Sequence, residues 1–161
     1  MKKFLILLMF VFSSLLVACG DTSSTDDDGD EPNNEVITLT FSAADNDDYT
    51  FEGATGEVGA AEGAKDPALT LTVGQRYRID NQASAAHPFE LLDGEAEFGN
   101  DVVLLSQREE EDGSFEDDAD VAFEADDSGM TFTLTQGLAD ALSAYRCEFH
   151  PVNMRGVVSI Q

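Results

Sequence analysis

Polar and apolar residues alternate with a period of two along much of this chain after residue 35. In residues 36–41 the sequence Val-Ile-Thr-Leu-Thr-Phe places Ile37, Leu39 and Phe41 on one face of an extended backbone and the threonines on the other. Residues 68–73 and 76–80 repeat the alternation on either side of a Gly-Gln turn. No long segment shows the 3.6-residue period of an amphipathic helix, so the pattern predicts short strands.

Turns rich in Gly, Asp and Asn separate the other apolar segments. Such spacing of short strands is typical of an all-β sandwich, which we therefore predict for residues 35–161. The charge run at residues 109–120 is predicted to be an exposed acidic loop inserted into this domain. Further strands are predicted at residues 49–52, 121–123, 130–135, 145–148 and 157–160, apolar segments at 87–92 and 101–105, and one helical turn within 137–144.

The N-terminal residues have the composition of an export signal. Met1-Lys2-Lys3 is followed by an apolar stretch too short to span a bilayer comfortably. Leu16-Val17-Ala18-Cys19 then resembles the bacterial lipoprotein box, in which the cysteine receives a lipid before cleavage. We therefore expect a signal peptide at residues 1–18 and lipidation of Cys19. The alternative is an ordinary secretory signal that happens to contain this cysteine.

A polar tether is expected between the lipid and the domain. Residues 20–34 contain no large apolar side chain, so they cannot bury enough surface to offset their ordering entropy. We expect residues 19–34 to form the lipidated cysteine and a disordered acidic linker. The protein is then an exported lipoprotein of the bacterial periplasm or cell envelope, anchored to the membrane through Cys19.

The charge of the chain limits its partners. With 8 Lys and Arg against 33 Asp and Glu, the formal net charge is −25. Nucleic-acid binding needs a basic surface, and anionic lipid headgroups repel an acidic one, so neither is expected. A basic protein partner, a high-salt habitat and simple solubility remain open.

The two cysteines cannot pair if Cys19 carries a lipid. Cys147 is then a lone thiol in an oxidising compartment, which needs an explanation. Metal ligation supplies one, because a coordinated thiolate is deprotonated and protected.

Cys147 also lies among other metal-ligating residues. The spacing Cys147-x-x-His150-x-x-x-Met154 allows a thiolate, an imidazole and a thioether to converge at one strand end. His87 is the second of two histidines. Two imidazoles and a thiolate in a plane with a weak axial thioether form a blue-copper site, so one type 1 copper ion is the predicted cofactor. No ligand position stays open for a substrate, so we do not expect an enzyme.

These residues resemble the copper loop of the cupredoxins, the single-copper electron carriers that include plastocyanin, amicyanin and pseudoazurin. The resemblance rests on Tyr145-x-Cys147-x-x-His150-Pro151, on Met154-Arg155-Gly156 and on the upstream His87-Pro88-Phe89. It implies a monomeric Greek-key β-sandwich with His87, Cys147 and His150 as equatorial ligands and Met154 as axial ligand. It also places Pro88 and Phe149 beside the ligands, near the histidine edge where electrons enter in this family.

Two departures from the family pattern are visible. Three residues separate His150 from Met154, where two or four are expected. This spacing affects the expected length of the axial bond to Met154 and not the three equatorial ligands. The residue after the first histidine usually donates its N–H to the copper-bound sulfur, but Pro88 has no N–H. We therefore hypothesise that the N–H of Phe149 makes this bond. Met130 opens a predicted strand and is expected to serve core or edge packing instead of ligation.

The predicted function is single-electron transfer between redox proteins. A cationic partner such as a c-type cytochrome would suit the acidic surface, with residues 109–120 either a docking patch or merely a solvated loop. Two alternatives are a copper-binding or copper-delivery lipoprotein without a redox partner, and a copper-free cupredoxin-like surface module.

Overall fold

The structure is a computed structural model and describes residues 35–94, 101–108 and 113–161. The predicted signal peptide at 1–18, Cys19 and the linker to residue 34 lie outside the described residues, as do residues 109–112 of the acidic insertion. The strands are β1 (Val36–Ser42), β2 (Thr50–Ala54), β3 (Leu69–Leu71), β4 (Arg76–Asn81), β5 (Phe89–Asp93), β6 (Val102–Ser106), β7 (Glu124–Asp126), β8 (Gly129–Thr133), β9 (Ala144–Cys147) and β10 (Arg155–Ile160), and the helix is α1 (Gln136–Ala141).

The strands form two five-stranded sheets. One has the order β2-β1-β4-β8-β7 and the other the order β3-β10-β9-β5-β6. The pairs β1–β4 and β3–β10 are parallel, and the remaining neighbours are antiparallel. Phe41 of the first sheet packs against Phe89 and Tyr145 of the second, with ring centroids 5.2 and 5.8 Å apart. The predicted all-β sandwich is therefore confirmed, with one core between its two sheets.

The period-two pattern decides which side chains enter this core. Leu39 and Phe41 of β1 are fully buried, while the intervening Thr40 is only partly buried. Tyr77, Ile79 and Asn81 of β4 are buried, with partly exposed residues between them. Successive side chains of a strand point to opposite faces, so the alternation in the sequence translates directly into one buried face per sheet.

The strand predicted at residues 121–123 is wrong. Val121 and Ala122 lie in a turn in which both of their N–H groups donate to the carbonyl of Asp118. Ala122 has φ +47°, a left-handed conformation that an extended strand does not contain. Val121 is nevertheless fully buried, so its apolar character reflects core packing from a turn. The strand here is β7, which begins at Glu124.

Several element boundaries also differ from the prediction. The helical turn predicted within 137–144 is α1, which begins after Thr135, whose hydroxyl accepts the Leu138 N–H. The last strand, predicted at 157–160, begins two residues earlier because Arg155 and Gly156 pair with β9.

The described part of the acidic insertion lies at the surface. Residues 113–120 form turns, and residues 117–120 are exposed, as predicted for an exposed acidic loop.

Within the described ranges no helix has the length and apolar character required to cross a membrane.

One carboxyl group outside the strands should make the stability depend on pH. Burial raises the pKa of Asp66 to about 7. The hydrogen bond from the Tyr49 N–H acts in the opposite direction, and the nearby Asp48 carboxylate raises the pKa further. A carboxyl whose pKa is higher in the folded state stabilises the fold when protonated, at low pH. This contribution is lost as the pH rises from about 4 through about 7.

We expect Asp66→Asn to remove this contribution. The amide keeps an oxygen that can accept the Tyr49 N–H, and Asn tolerates the left-handed φ of +39° at this position. Urea unfolding at pH 5 and pH 8 should show a smaller loss of stability at pH 8 for the variant than for the natural protein. Equal losses would contradict the assignment to Asp66.

Candidate metal centre

The pairing of β5 with β9 brings His87 to Cys147. The two strands are antiparallel, and Phe89 at the start of β5 lies opposite Cys147 at the end of β9. His87 lies two residues before Phe89, so the chain that enters β5 passes beside the sulfur. The Glu148 N–H donates to the Pro88 carbonyl at 3.0 Å, which continues the pairing by one step beyond both strands.

A short loop between β9 and β10 brings His150 to the same point. The Cys147 N–H donates to the Met154 carbonyl at 2.8 Å, and the Met154 N–H donates to the His150 carbonyl at 3.0 Å. These two bonds close the loop and place His150 over the end of β9. Backbone hydrogen bonds therefore contribute to the conformation of this loop.

Three ligand atoms form a nearly equilateral triangle. His87 Nδ1 lies 3.2 Å from His150 Nδ1, and the Cys147 sulfur lies 3.7 and 3.5 Å from these two nitrogens. A point in the plane of the triangle lies about 2.0 Å from all three atoms, close to the bond lengths of about 2.0 to 2.3 Å that nitrogen and thiolate sulfur make to Zn²⁺. The residues present therefore fit a trigonal metal ion, and two imidazoles with one thiolate are the donor set of a type 1 copper site.

The ligands differ in exposure. Cys147 and Met154 are fully buried and His87 is 6% exposed, whereas His150 is only partly buried. Next to His150 on the loop, Phe149 and Val152 are 48% and 62% exposed. One imidazole edge thus reaches the surface, and it is bordered by apolar side chains.

The backbone around the sulfur favours a thiolate, whereas burial opposes it. Burial raises the pKa of the Cys147 thiol, and the N–H groups of His150 and Phe149 act in the opposite direction. The hydrogen bond from the Phe149 N–H to the sulfur stays a prediction, and the N–H of His150 is a second candidate donor that the sequence did not indicate. Such bonds to a ligating sulfur tune a metal site.

The environment of His87 favours its neutral form. Burial lowers the pKa of its imidazole, the neighbouring His150 lowers it further, and Asp45 opposes both. A neutral imidazole is the form that binds a metal ion, so the site does not need to remove a proton from His87 at neutral pH.

Polar residues that the sequence analysis missed hold His87 in place. Its carbonyl accepts two bonds of 2.7 Å, from the Tyr49 hydroxyl and the Asn81 amide. The Asn81 amide also donates to the Gln107 side-chain oxygen, which accepts the Phe89 N–H at 3.1 Å. No spacing or motif marks these three residues, because their shared role appears only when distant segments of the chain meet.

The two candidate methionines occupy different places. The Met154 backbone is bonded to Cys147 and His150, and its side chain is buried in the core cluster that contains Cys147. Met130 lies in β8, opposite Ile79 of β4, and is fully buried. Core packing by Met130 agrees with the expectation, and the axial role of Met154 stays a prediction.

We expect Tyr49→Phe to weaken metal binding. The variant keeps the buried ring but removes the hydroxyl that holds the His87 carbonyl, at a cost of about 1 kcal/mol in unfolding free energy. Tyr145→Phe is the matched control, since its buried hydroxyl donates to the distant Pro67 carbonyl at 2.9 Å. Denaturant unfolding and copper titration should show similar stability losses but weaker copper binding in Tyr49→Phe alone. Equal copper affinity in both variants would contradict the role given to Tyr49.

Comparison with known proteins adds distant structural similarity. No known family matches the sequence, and no curated protein matches it. A structure of the copper protein rusticyanin is 12% identical, with a TM-score of 0.44, over 78% of each chain. Rusticyanin from Thiobacillus ferrooxidans is 12% identical, with a TM-score of 0.41, over 78% of this chain and 77% of that one. The resemblance to cupredoxin domains is confirmed by the protein's own two-sheet sandwich and by the cluster of His87, Cys147 and His150 at one end of it.

Proposed function

We propose that this protein is an exported, membrane-anchored mononuclear blue copper protein that carries single electrons between redox partners. His87, Cys147 and His150 would be the equatorial ligands and Met154 the axial one. The observation that carries the proposal is the triangle of two Nδ1 atoms and the Cys147 sulfur, with sides of 3.2 to 3.7 Å.

Copper in such a site supplies a one-electron couple between Cu(I) and Cu(II). The protein's own contribution is the set of backbone and side-chain contacts that support the three ligand residues. Cross-strand pairing holds Cys147, loop hydrogen bonds hold His150, and the bonds to its carbonyl hold His87. Full burial of the sulfur excludes water from it. Such supports would limit the movement of the ligands between oxidation states, which favours fast electron transfer.

The partly buried His150 supports a surface route for the electron. His87, Cys147 and Met154 are buried, so a partner would approach closest at the imidazole of His150. The exposed side chains of Phe149 and Val152 flank that point and can be desolvated at small cost. This arrangement serves electron exchange better than substrate chemistry, and we do not propose an enzymatic activity.

A basic redox protein such as a c-type cytochrome is the proposed partner. The net charge of −25 favours encounter with a cationic surface. Asp117, Asp118 and Asp120, in the described part of the acidic insertion, are exposed and could contribute to docking. Lipidation at Cys19 would hold this protein at a membrane of the periplasm or cell envelope.

Adding Cu(II) to the purified protein should produce an intense absorption at about 600 nm from thiolate-to-copper charge transfer. Cys147→Ser should abolish the band, because the thiolate is its source. Absence of the band in the natural protein would reject the blue-copper proposal and favour a copper-free surface module.

Two methionine variants serve as matched controls in this titration. Met154→Leu should keep the band and change the reduction potential, as expected for loss of a weak axial ligand. Met130→Leu, which alters a buried methionine of β8, should change neither property. Equal potentials for Met154→Leu and the natural protein would remove the axial role.

Association with a basic c-type cytochrome should slow steeply as the salt concentration rises from about 10 to about 200 mM, because ions screen the opposite charges. Stopped-flow reduction of the copper protein measures this rate. Substituting Asp117, Asp118 and Asp120 by Asn should reduce the salt dependence. A salt-independent rate would remove the electrostatic docking role, and slow reduction with ready copper release to a chelator would favour copper delivery.

A further inference from the structure

Four charged residues lie in a row behind the metal centre, on the opposite face of its sheet. Glu90, Arg146 and Arg155 are cross-strand neighbours on β5, β9 and β10. Each directly adjoins a site residue, since Glu90 follows Phe89, Arg146 precedes Cys147 and Arg155 follows Met154. Side chains alternate along a strand, so these three point away from the core that the site residues enter. Asp101, just before β6, completes the row, which we call the Asp101 cluster.

The outer face of a sandwich sheet is usually solvated, but this cluster is buried. The side chains of Glu90 and Asp101 are 0% and 2% exposed, and those of Arg155 and Arg146 are 7% and 15% exposed. Two carboxylates balance two guanidinium groups, so the cluster carries no formal net charge. Burial alone would raise the pKa of Asp101, but the hydrogen bonds and charges of Arg155 and Arg146 hold it below its usual value.

Asp101 is the centre of the cluster. Arg155 binds it through two bonds of 3.0 and 3.2 Å, and Arg146 donates to it at 3.0 Å. Arg146 also donates to Glu90 at 2.6 Å, which ties β9 to β5 next to the Phe89–Cys147 pair. The paired geometry of the Arg155–Asp101 contact fixes the plane and direction of the guanidinium group.

Arg155 extends this cluster into the ligand loop. Its Nη1 atom donates to the Pro151 carbonyl at 3.3 Å, and Pro151 directly follows His150. The loop between Cys147 and Met154 is therefore held on its inner side by backbone bonds and on its outer side by a guanidinium group that Asp101 orients.

A gain in folding stability does not explain why these charged residues are buried together. The desolvation of buried ions offsets most of their attraction, so buried ion pairs are often no more stabilising than apolar residues of similar volume. Their directional bonds do, however, exclude alternative arrangements of the groups they join. The atoms held here are those on either side of Cys147 and His150.

We infer that Arg155, oriented by Asp101, is a positioning residue that holds the Pro151 carbonyl and so sets the conformation of the ligand loop before a metal ion binds. This inference rests on the proposed metal site and adds a group outside it that determines its geometry. The loop is then ordered in the metal-free protein, and metal binding does not have to supply the ordering entropy.

The chain offers a matched control in the other sheet. Arg76 of β4 also joins a carboxylate and a backbone carbonyl, with Glu124 at 3.5 Å and the Ala122 carbonyl at 3.2 Å. These contacts support the turn before β7 and do not involve the ligand loop. Lysine at either position keeps the charge but cannot form the same fork of hydrogen bonds.

The test compares Arg155→Lys with Arg76→Lys in the full-length protein. Amide hydrogen exchange of the metal-free protein should show the Met154 amide, which donates to His150, exchanging at least about tenfold faster in Arg155→Lys. Titration with Co²⁺, followed by its ligand-field absorption, should show about 10- to 100-fold weaker binding and altered band intensities. Arg76→Lys should leave both measurements unchanged.

Unchanged loop exchange and Co²⁺ affinity in Arg155→Lys, with a stability loss like that of Arg76→Lys, would overturn the inference. If Arg155→Lys does not fold, Asp101→Asn provides the same test, since it keeps the side-chain volume and weakens the partner of both arginines. Failure of the natural protein to bind Co²⁺ or copper would reject the proposed metal site instead. The exchange measurement on metal-free protein would still decide whether Arg155 orders the loop.

Discussion

The register between β5 and β9 is the constraint on which the rest of the site depends. It places Phe89 opposite Cys147, and through Phe89 it places His87 beside the sulfur. A shift of one residue would turn Cys147 to the outer face and bring Arg146 into the core. Interactions on both faces of the sheet thus maintain the register. On the inner face the apolar side chains are buried in the core, and on the outer face Arg146 pairs with Glu90.

The strands and the candidate ligands were predictable because each leaves a local signal. Alternation marks a strand with one buried face, and a cysteine three residues before a histidine marks a candidate soft metal site. The apolar Val121 misled the prediction for the opposite reason, since it is buried from a turn in which Ala122 is left-handed. Apolar character reports burial, and only a sustained period reports the backbone conformation.

The supports of the site leave no such signal. Glu90 and Arg146 occupy positions that alternation assigns to the outer face, and nothing local indicates that this face is covered. Tyr49, Asn81 and Gln107 come from three separate segments and meet only around the His87–Phe89 backbone. Their roles are tertiary, so a single sequence can predict the candidate ligands but not the residues that hold those ligands in place.

The direction of β1 determines where the N-terminal part of the chain joins the domain. β1 runs parallel to β4, from Val36 beside Arg76 to Phe41 beside Asn81, and Asn81 contacts His87. The start of β1 therefore lies about 17 Å along the strand from the end that meets the candidate metal centre, since five steps of about 3.3 Å separate Val36 from Phe41. The chain that precedes Glu35 thus joins the domain at the end opposite the cluster of His87, Cys147 and His150. An attachment at that end keeps the N-terminal connection away from the surface at which His150 is partly exposed.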